Sequence, residues 1–202
     1  MEYKNILFNL SSKKLNDNLL ILFDESWLKS NGSGAVDVPA LKQRKISSKI
    51  IDFYRVVNSY EVIWTWSNNQ ECRGFVKIIP LKDSIQDSSP DYLCGLRILD
   101  YFVPEACVGY YIAEDGGKPN EELYFLFFQD KPQGLNVDME GYIQLLNMSG
   151  GFAYWQETLL FLQGNPEATP DSVEKFKKYM PIIFPTFKWE EFVALYEKVK
   201  LR

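Results

Sequence analysis

Residues 61–79 read Glu61-Val62-Ile63-Trp64-Thr65-Trp66-Ser67-Asn68-Asn69-Gln70-Glu71-Cys72-Arg73-Gly74-Phe75-Val76-Lys77-Ile78-Ile79. Val62, Trp64 and Trp66 recur at period two, so they share one face of a strand. Ser67 to Gln70 is a cluster of turn formers, and Phe75 to Ile79 returns as the partner. The stretch is an antiparallel hairpin, and the elements on either side of it decide what the hairpin packs against.

Toward the amino terminus the period is helical. Ser47 or Ser48 caps a helix in which Ile50, Phe53, Tyr54 and Val57 fall at i, i+3, i+4 and i+7. Pro39 suits the first turn of a short helix to about Lys45. Further out, Ser11 or Ser12 caps an expected helix with Leu15, Leu19, Leu22, Phe23 and Trp27 on one stripe, ended by Asn31-Gly32-Ser33-Gly34. Toward the carboxyl terminus, Lys82 to Asp91 is polar and Leu93 to Phe102 is mixed. Cys107 to Ala113 and Leu123 to Gln129 read as two strands joined by a Gly-Gly loop. Leu123 to Phe128 is apolar on both faces, which places that strand in the middle of the sheet. Asp138 then caps a helix bearing Met139, Tyr142, Ile143 and Leu146, and a second helix runs from Phe152 to Gln163 with Gly164 as its stop. Thr169-Pro170 opens a third helix to about Tyr179, and Trp189, Phe192, Val193, Tyr196 and Val199 mark a fourth.

Helices, then hairpins, then helices predict an α+β single domain over 1–202. It has a central, mainly antiparallel sheet of about 4–6 strands with helices before and after it. Its expected parts are a helical extension over 1–34, a core over 35–163 and C-terminal helices over 164–202. The 202 residues are 46% hydrophobic and 24% charged, which suits a globular chain with a sizeable core and excludes a disordered or disulfide-stapled one.

Charge and chemistry narrow the function. The net charge is −5, a field that repels phosphate backbones and anionic lipid and favours a basic partner over nucleic acid or a membrane surface. The chain has no histidine, so a Ser-His-Asp or Cys-His site cannot be built. No Gly-x-Gly-x-x-Gly turn or Walker-type loop is present, and no cofactor is expected. Cys72, Cys94 and Cys107 are odd in number, widely spaced and flanked by apolar residues, which predicts buried free thiols without metal. No signal peptide or membrane-length apolar run precedes the fold, so a cytoplasmic location is expected. The basic runs Lys42 to Lys45 and Lys175 to Lys178 sit on predicted helices as solvated faces.

Acidic residues supply the candidate site. Between Tyr111 and Glu140 stand Glu114, Asp115, Glu121, Glu122, Asp130, Asp138 and Glu140 against Lys118 and Lys131, a net of five negatives that equals the charge of the whole chain. Such a cluster at loop tips captures and orients a basic protein, with aromatic anchors slowing its release. The same carboxylates also leave a carboxylate-dependent hydrolase open as a further reading. The order of ligands lacks the rhythm of an EF-hand.

Several short stretches, in order, resemble the SUKH superfamily. They are Ile46-Ser47 with Ile51 to Asn58; the Trp-containing strand from Val62; Ile78-Ile79-Pro80-Leu81; Asp100-Tyr101-Phe102 leading to Cys107 to Tyr111; and Tyr142 to Leu146 through Gly151 to Gln156. Ser47 and Ser59 stand where that family has Pro and Gly. The resemblance implies a non-enzymatic binding domain. Its immunity members neutralise a cognate bacterial toxin, and its fungal branch regulates cell-wall synthesis. The expected partner is therefore a basic toxin domain, contacted through Glu114 to Glu122 and Asp130 to Glu140. A regulatory scaffold for an endogenous protein is the alternative. The sequence leaves the oligomeric state open.

Overall fold

The computed structural model describes residue 3, the backbone of residues 19–25, and residues 45–85, 95–113, 117–128, 130–166 and 168–202. Among these, seven strands form one antiparallel sheet in chain order, β1 to β7. They are β1 (Leu19–Glu25), β2 (Tyr60–Trp66), β3 (Asn69–Ile78), β4 (Arg97–Val103), β5 (Ala106–Tyr110), β6 (Tyr124–Phe127) and β7 (Gln133–Gly134). Six have four or more residues, and β7 is a two-residue edge. The helices are α1 (Ser48–Tyr54), α2 (Leu81–Ser84), α3 (Met139–Ser149), α4 (Trp155–Leu162), α5 (Pro170–Ile183) and α6 (Trp189–Val199). The α+β class is as expected.

The hairpin of residues 61–79 forms as read: Val62 pairs with Val76 and Trp64 with Gly74. Its inner face buries Val62, Trp64, Cys72, Val76 and Ile78, against which α1 brings Ile50, Ile51 and Phe53, and α3 to α6 bring Tyr142, Leu146, Trp155, Phe176 and Phe192. Ser47 caps α1 by accepting the Lys49 N–H at 3.2 Å, and Asp138 caps α3 by accepting the Gly141 N–H at 2.9 Å. These caps satisfy amides that the first helical turn leaves without partners.

Three expectations are corrected. Residues 19–25 are a strand, not part of a helical extension; they pair with β2 from Leu19 opposite Trp66 to Glu25 opposite Glu61. Leu19-Leu20-Ile21-Leu22-Phe23 is a continuous apolar run, which fits a strand as well as a helical stripe, and the outer edge of β2 supplies the backbone partners a strand requires. The remainder of that expected helix, its Asn31–Gly34 stop and the helix from Pro39 lie outside the described residues. Strand β6 is next to last instead of central. Its two apolar faces have another cause: Phe125 enters the main core, while Leu126 packs on the opposite face with its register partner Cys107 and with Leu96. The third C-terminal helix also runs past Tyr179 to Ile183, with Pro181 inside its last turn.

Across the sheet, Asp100 on β4 is fully buried and accepts the Lys77 N–H of β3 at 2.8 Å. Between these strands only Ile78 and Asp100 pair in register, so the carboxylate takes a backbone donor that the short ladder leaves over. Cys72 and Cys107 are buried thiols, as expected. Burial pushes both thiol pKa values up, that of Cys107 to about 12. Cys94 lies outside the described residues. No helix among the described residues is long and apolar enough to cross a membrane.

Candidate functional site

The seven acidic residues separate into groups. Glu114 and Asp115 lie outside the described residues. Glu121, Asp138 and Glu140 converge on Lys49 at the start of α1: Lys49 pairs with Asp138, and that hydrogen bond, with the nearby charges of Glu121 and Glu140, raises the ammonium pKa. Glu121 also accepts the Ser47 hydroxyl at 2.6 Å. Asp138 and Glu121 are spent on joining α1 to α3 and to the segment before β6, while Glu140 contributes only a nearby charge.

Glu122 serves β7 and the residues that follow it. It accepts the Asn136 N–H at 3.0 Å and lies across Gly134, where a Cβ would come within 2.3 Å of its Oε1. Only glycine admits the carboxylate at that distance. Adjacent in sequence, Glu121 and Glu122 bond to different partners, Ser47 and Asn136, and do not form an acid/base pair.

Asp130 is placed differently. It is exposed, in the turn after β6, and its N–H donates to the Phe127 carbonyl at 3.1 Å. Two positions before it, Phe128 has 61% of its surface exposed and adopts φ +49°. A β-carbon in the left-handed region costs roughly 1–2 kcal/mol, so the surrounding contacts must hold the residue there. Phe128 donates its N–H to the Glu105 carbonyl in the β4–β5 turn at 2.6 Å, and its ring meets Phe127 edge-on at 4.6 Å. Glu105 is held in turn by the Tyr154 hydroxyl, which donates to its Oε1 at 2.6 Å. Burial, and then the Glu105 carboxylate, push the Tyr154 pKa up to about 12.

One end of the sheet thus presents an exposed aromatic ring on a fixed backbone, with Glu105 and Asp130 beside it. Behind it, Phe127, Tyr154, Phe102 and Phe125 form a chain of ring contacts into the core, with centroids 5.8–6.5 Å apart. Of the expected acids among the described residues, Asp130 alone belongs to this surface. Phe128, Glu105 and Tyr154 were missed. The available signal was Gln129-Asp130-Lys131-Pro132, a polar turn directly after an apolar run that continues one residue past the end of the strand, to Phe128.

A second feature lies at the other side of Tyr154. A cleft of about 430 Å³ is lined by Gln70, Glu71, Arg73, Ala153, Ser172 and Lys175 among others. It runs along the edge of β3 facing away from β2. Among the described residues no group of three or more Cys, Asp or Glu is placed to hold a metal ion.

Comparison with known proteins finds no matching family model, no matching curated protein and no matching solved structure.

Proposed function

We propose that this domain works by binding another protein, and that it is an immunity protein neutralising a cognate basic toxin domain through the surface of Phe128, Glu105 and Asp130. The observation that carries the reading is Phe128. A large aromatic side chain held outward, in a backbone conformation that costs energy, serves no packing purpose in proportion to that cost, and strained residues of this kind concentrate at binding sites. An aromatic anchor beside carboxylates is the arrangement that dominates protein interfaces: the ring supplies slow release and the charges supply orientation.

Charge agrees with the sign of the partner, since the chain carries −5 overall and Asp130 is left exposed. The partner region is accordingly narrower than the acidic window, because Glu121, Glu122 and Asp138 are engaged inside the fold. Toxins that act on nucleic acid are themselves basic, which fits this surface. The resemblance to the SUKH superfamily supports the same reading through the order of its short motifs.

The test is capture from the native cell with the tagged chain, followed by mass spectrometry and co-expression of the captured protein. A basic protein whose lethality is relieved by this chain, and not by a Phe128→Ala, Asp130→Lys variant of it, supports the proposal. Capture of an endogenous housekeeping protein with no lethality favours the regulatory scaffold. A native-folded variant that protects as well as the wild type removes this surface.

A further inference from the structure

β3 does not leave its turn as a regular strand. Trp66 pairs with Asn69 across the turn, and the next pair is Thr65 with Arg73, so residues 70–72 have no partner on β2. Cys72 is buried and roots this bulge in the core, while Gln70, Glu71 and Arg73 around it are exposed. The Glu71 N–H donates to the Asn69 Oδ1 at 3.1 Å, a local bond within the bulge. Insertions of this kind re-aim side chains out of the ladder and concentrate beside functional sites. Here Gln70, Glu71 and Arg73 form one wall of the cleft of about 430 Å³, a volume within the roughly 300–1,000 Å³ of small-molecule sites.

The other walls are tied to this one. Gly74 bridges antiparallel to Phe152, the Phe75 N–H donates to the Gly151 carbonyl at 2.8 Å, and the Ala153 N–H donates to the Arg73 carbonyl at 2.9 Å, which holds the segment before α4 against β3. α5 contributes Ser172 and Lys175. Ser172 is committed inward, its hydroxyl bonded to the buried Glu157 carboxylate, and the Tyr154 hydroxyl is committed to Glu105. The groups left to act on a ligand are charges. Arg73 lies over the Phe75 ring at 5.1 Å, which pre-positions the guanidinium, and among the described residues no carboxylate pairs with it. Lys175 Nζ is 3.7 Å from Glu71, with both side chains more than half exposed, a contact that gives way at little cost. Two cations against one loosely held acid give the cleft a sign opposite to that of the chain, which carries −5.

We propose that this cleft binds a small organic phosphate monoester, its dianionic phosphoryl group held between Arg73 and Lys175 and its ester body lying against Ala153 and the Tyr154 ring. The guanidinium fork matches two phosphoryl oxygens and the lysine adds a point charge, while Glu71 is displaced from Lys175. A dianion answers both cations, where a carboxylate answers one. The cleft is also larger than a bare phosphate fills, which leaves room for the ester body. This site is separate from the surface of Phe128 and Asp130 and takes the opposite sign of ligand.

The test is isothermal titration calorimetry on the full chain with phenyl phosphate, set beside benzoate, inorganic phosphate and a short capped peptide bearing phosphotyrosine. Saturable binding of one phenyl phosphate per chain is expected, tighter than that of the other three. Binding weakens about tenfold in Arg73→Ala and likewise in Lys175→Ala, the scale of one lost charge-assisted hydrogen bond. It strengthens in Glu71→Gln. It is unchanged in Lys177→Ala, which removes a cation of the same helix that lies over Trp189 instead. Circular dichroism confirms that the variants fold. No saturable binding of phenyl phosphate, or an equal loss in Lys177→Ala, overturns the proposal in favour of general attraction to the basic face of α5. Benzoate binding as tightly shows that the cleft does not select a dianion, and inorganic phosphate binding as tightly shows that the ester body is not seated. Tighter binding of the peptide assigns the cations to a phosphorylated protein. Each of these three results also overturns the proposal.

Discussion

The Tyr142 hydroxyl donates to Asp100 Oδ2 at 2.7 Å, and both residues are fully buried. The same hydroxyl accepts from Gln156 Nε2 at 3.2 Å, so one carboxylate ties β4 and β3 to α3 and, through Tyr142, to α4. Burial outweighs the two hydrogen bonds and lifts the Asp100 pKa from the ordinary 3.8 to about 6. The unfolded chain therefore loses this proton near pH 3.8 and the folded chain near pH 6. Between those values the folded state holds more protons, so the Asp100 contribution to stability is complete below the window and is lost as pH rises through it.

Asp100→Asn removes that titration. Urea unfolding of variant and wild type at a series of pH values from 3.5 to 7 is expected to show the difference between them moving in the variant's favour as pH rises, by on the order of 3 kcal/mol over the window and no further above it. A difference that stays constant with pH would show that Asp100 titrates normally in the fold.

Gly74 lies under the Trp64 indole, so closely that a Cβ there would sit 2.2 Å from Nε1 and Cε2. The indole cannot withdraw, because its Nε1–H donates to the Gly150 carbonyl at 2.8 Å and its ring meets Phe184 edge-on at 5.5 Å. Gly74→Ala is expected to cost about 1–3 kcal/mol, the range for overfilling a packed core. On a Trp64→Phe background, which removes the contacting atoms, the same substitution should cost less. Equal costs in chemical denaturation on both backgrounds would place the strain elsewhere.

The α1–α3 junction separates a cap from an ion pair. Asp138→Ala loses the cap on Gly141 together with the partner of Lys49, and is expected to cost about 1–2 kcal/mol. Lys49→Met removes only the pair, and with Lys49 42% exposed the expected cost is below about 1 kcal/mol. Thermal unfolding of the two variants measures the order, and a costlier Lys49→Met would reverse the assignment of roles.

What the sequence made legible followed the strength of its local signals. The β2–β3 hairpin, the caps at Ser47 and Asp138, and the apolar stripes of α3 to α6 carried both a period and a boundary residue, and all formed. Leu19 to Phe23 also carried a helical stripe, with a cap at Ser11 or Ser12 and a stop at Asn31 to Gly34, yet it forms a strand, because a continuous apolar run suits either element and the edge of β2, more than 35 residues further along the chain, decides between them. The acidic window was visible as charge, yet its use was not. Whether Glu121 and Asp138 face a partner or face Ser47 and Lys49 is set by contacts across 74 and 89 residues. Phe128 was read as strand because its outward turn is imposed by Glu105, a residue on another hairpin.

That turn provides the prediction that most directly separates binding from folding. Phe128→Gly removes a mostly exposed ring and replaces a residue at φ +49° with one that adopts this conformation freely. If Phe128 is kept for a partner, the glycine variant is as stable as the wild type or gains up to about 1 kcal/mol, while its capture of the basic partner weakens by at least about tenfold through faster dissociation. Asp130→Asn on the same surface should act mainly on the association rate, with an effect that fades as salt is raised. Denaturant midpoints and surface plasmon resonance at two salt concentrations measure the three quantities. A Phe128→Gly variant that loses stability in proportion to its loss of binding would make the ring a structural element, and the energy held in its backbone would then need another explanation.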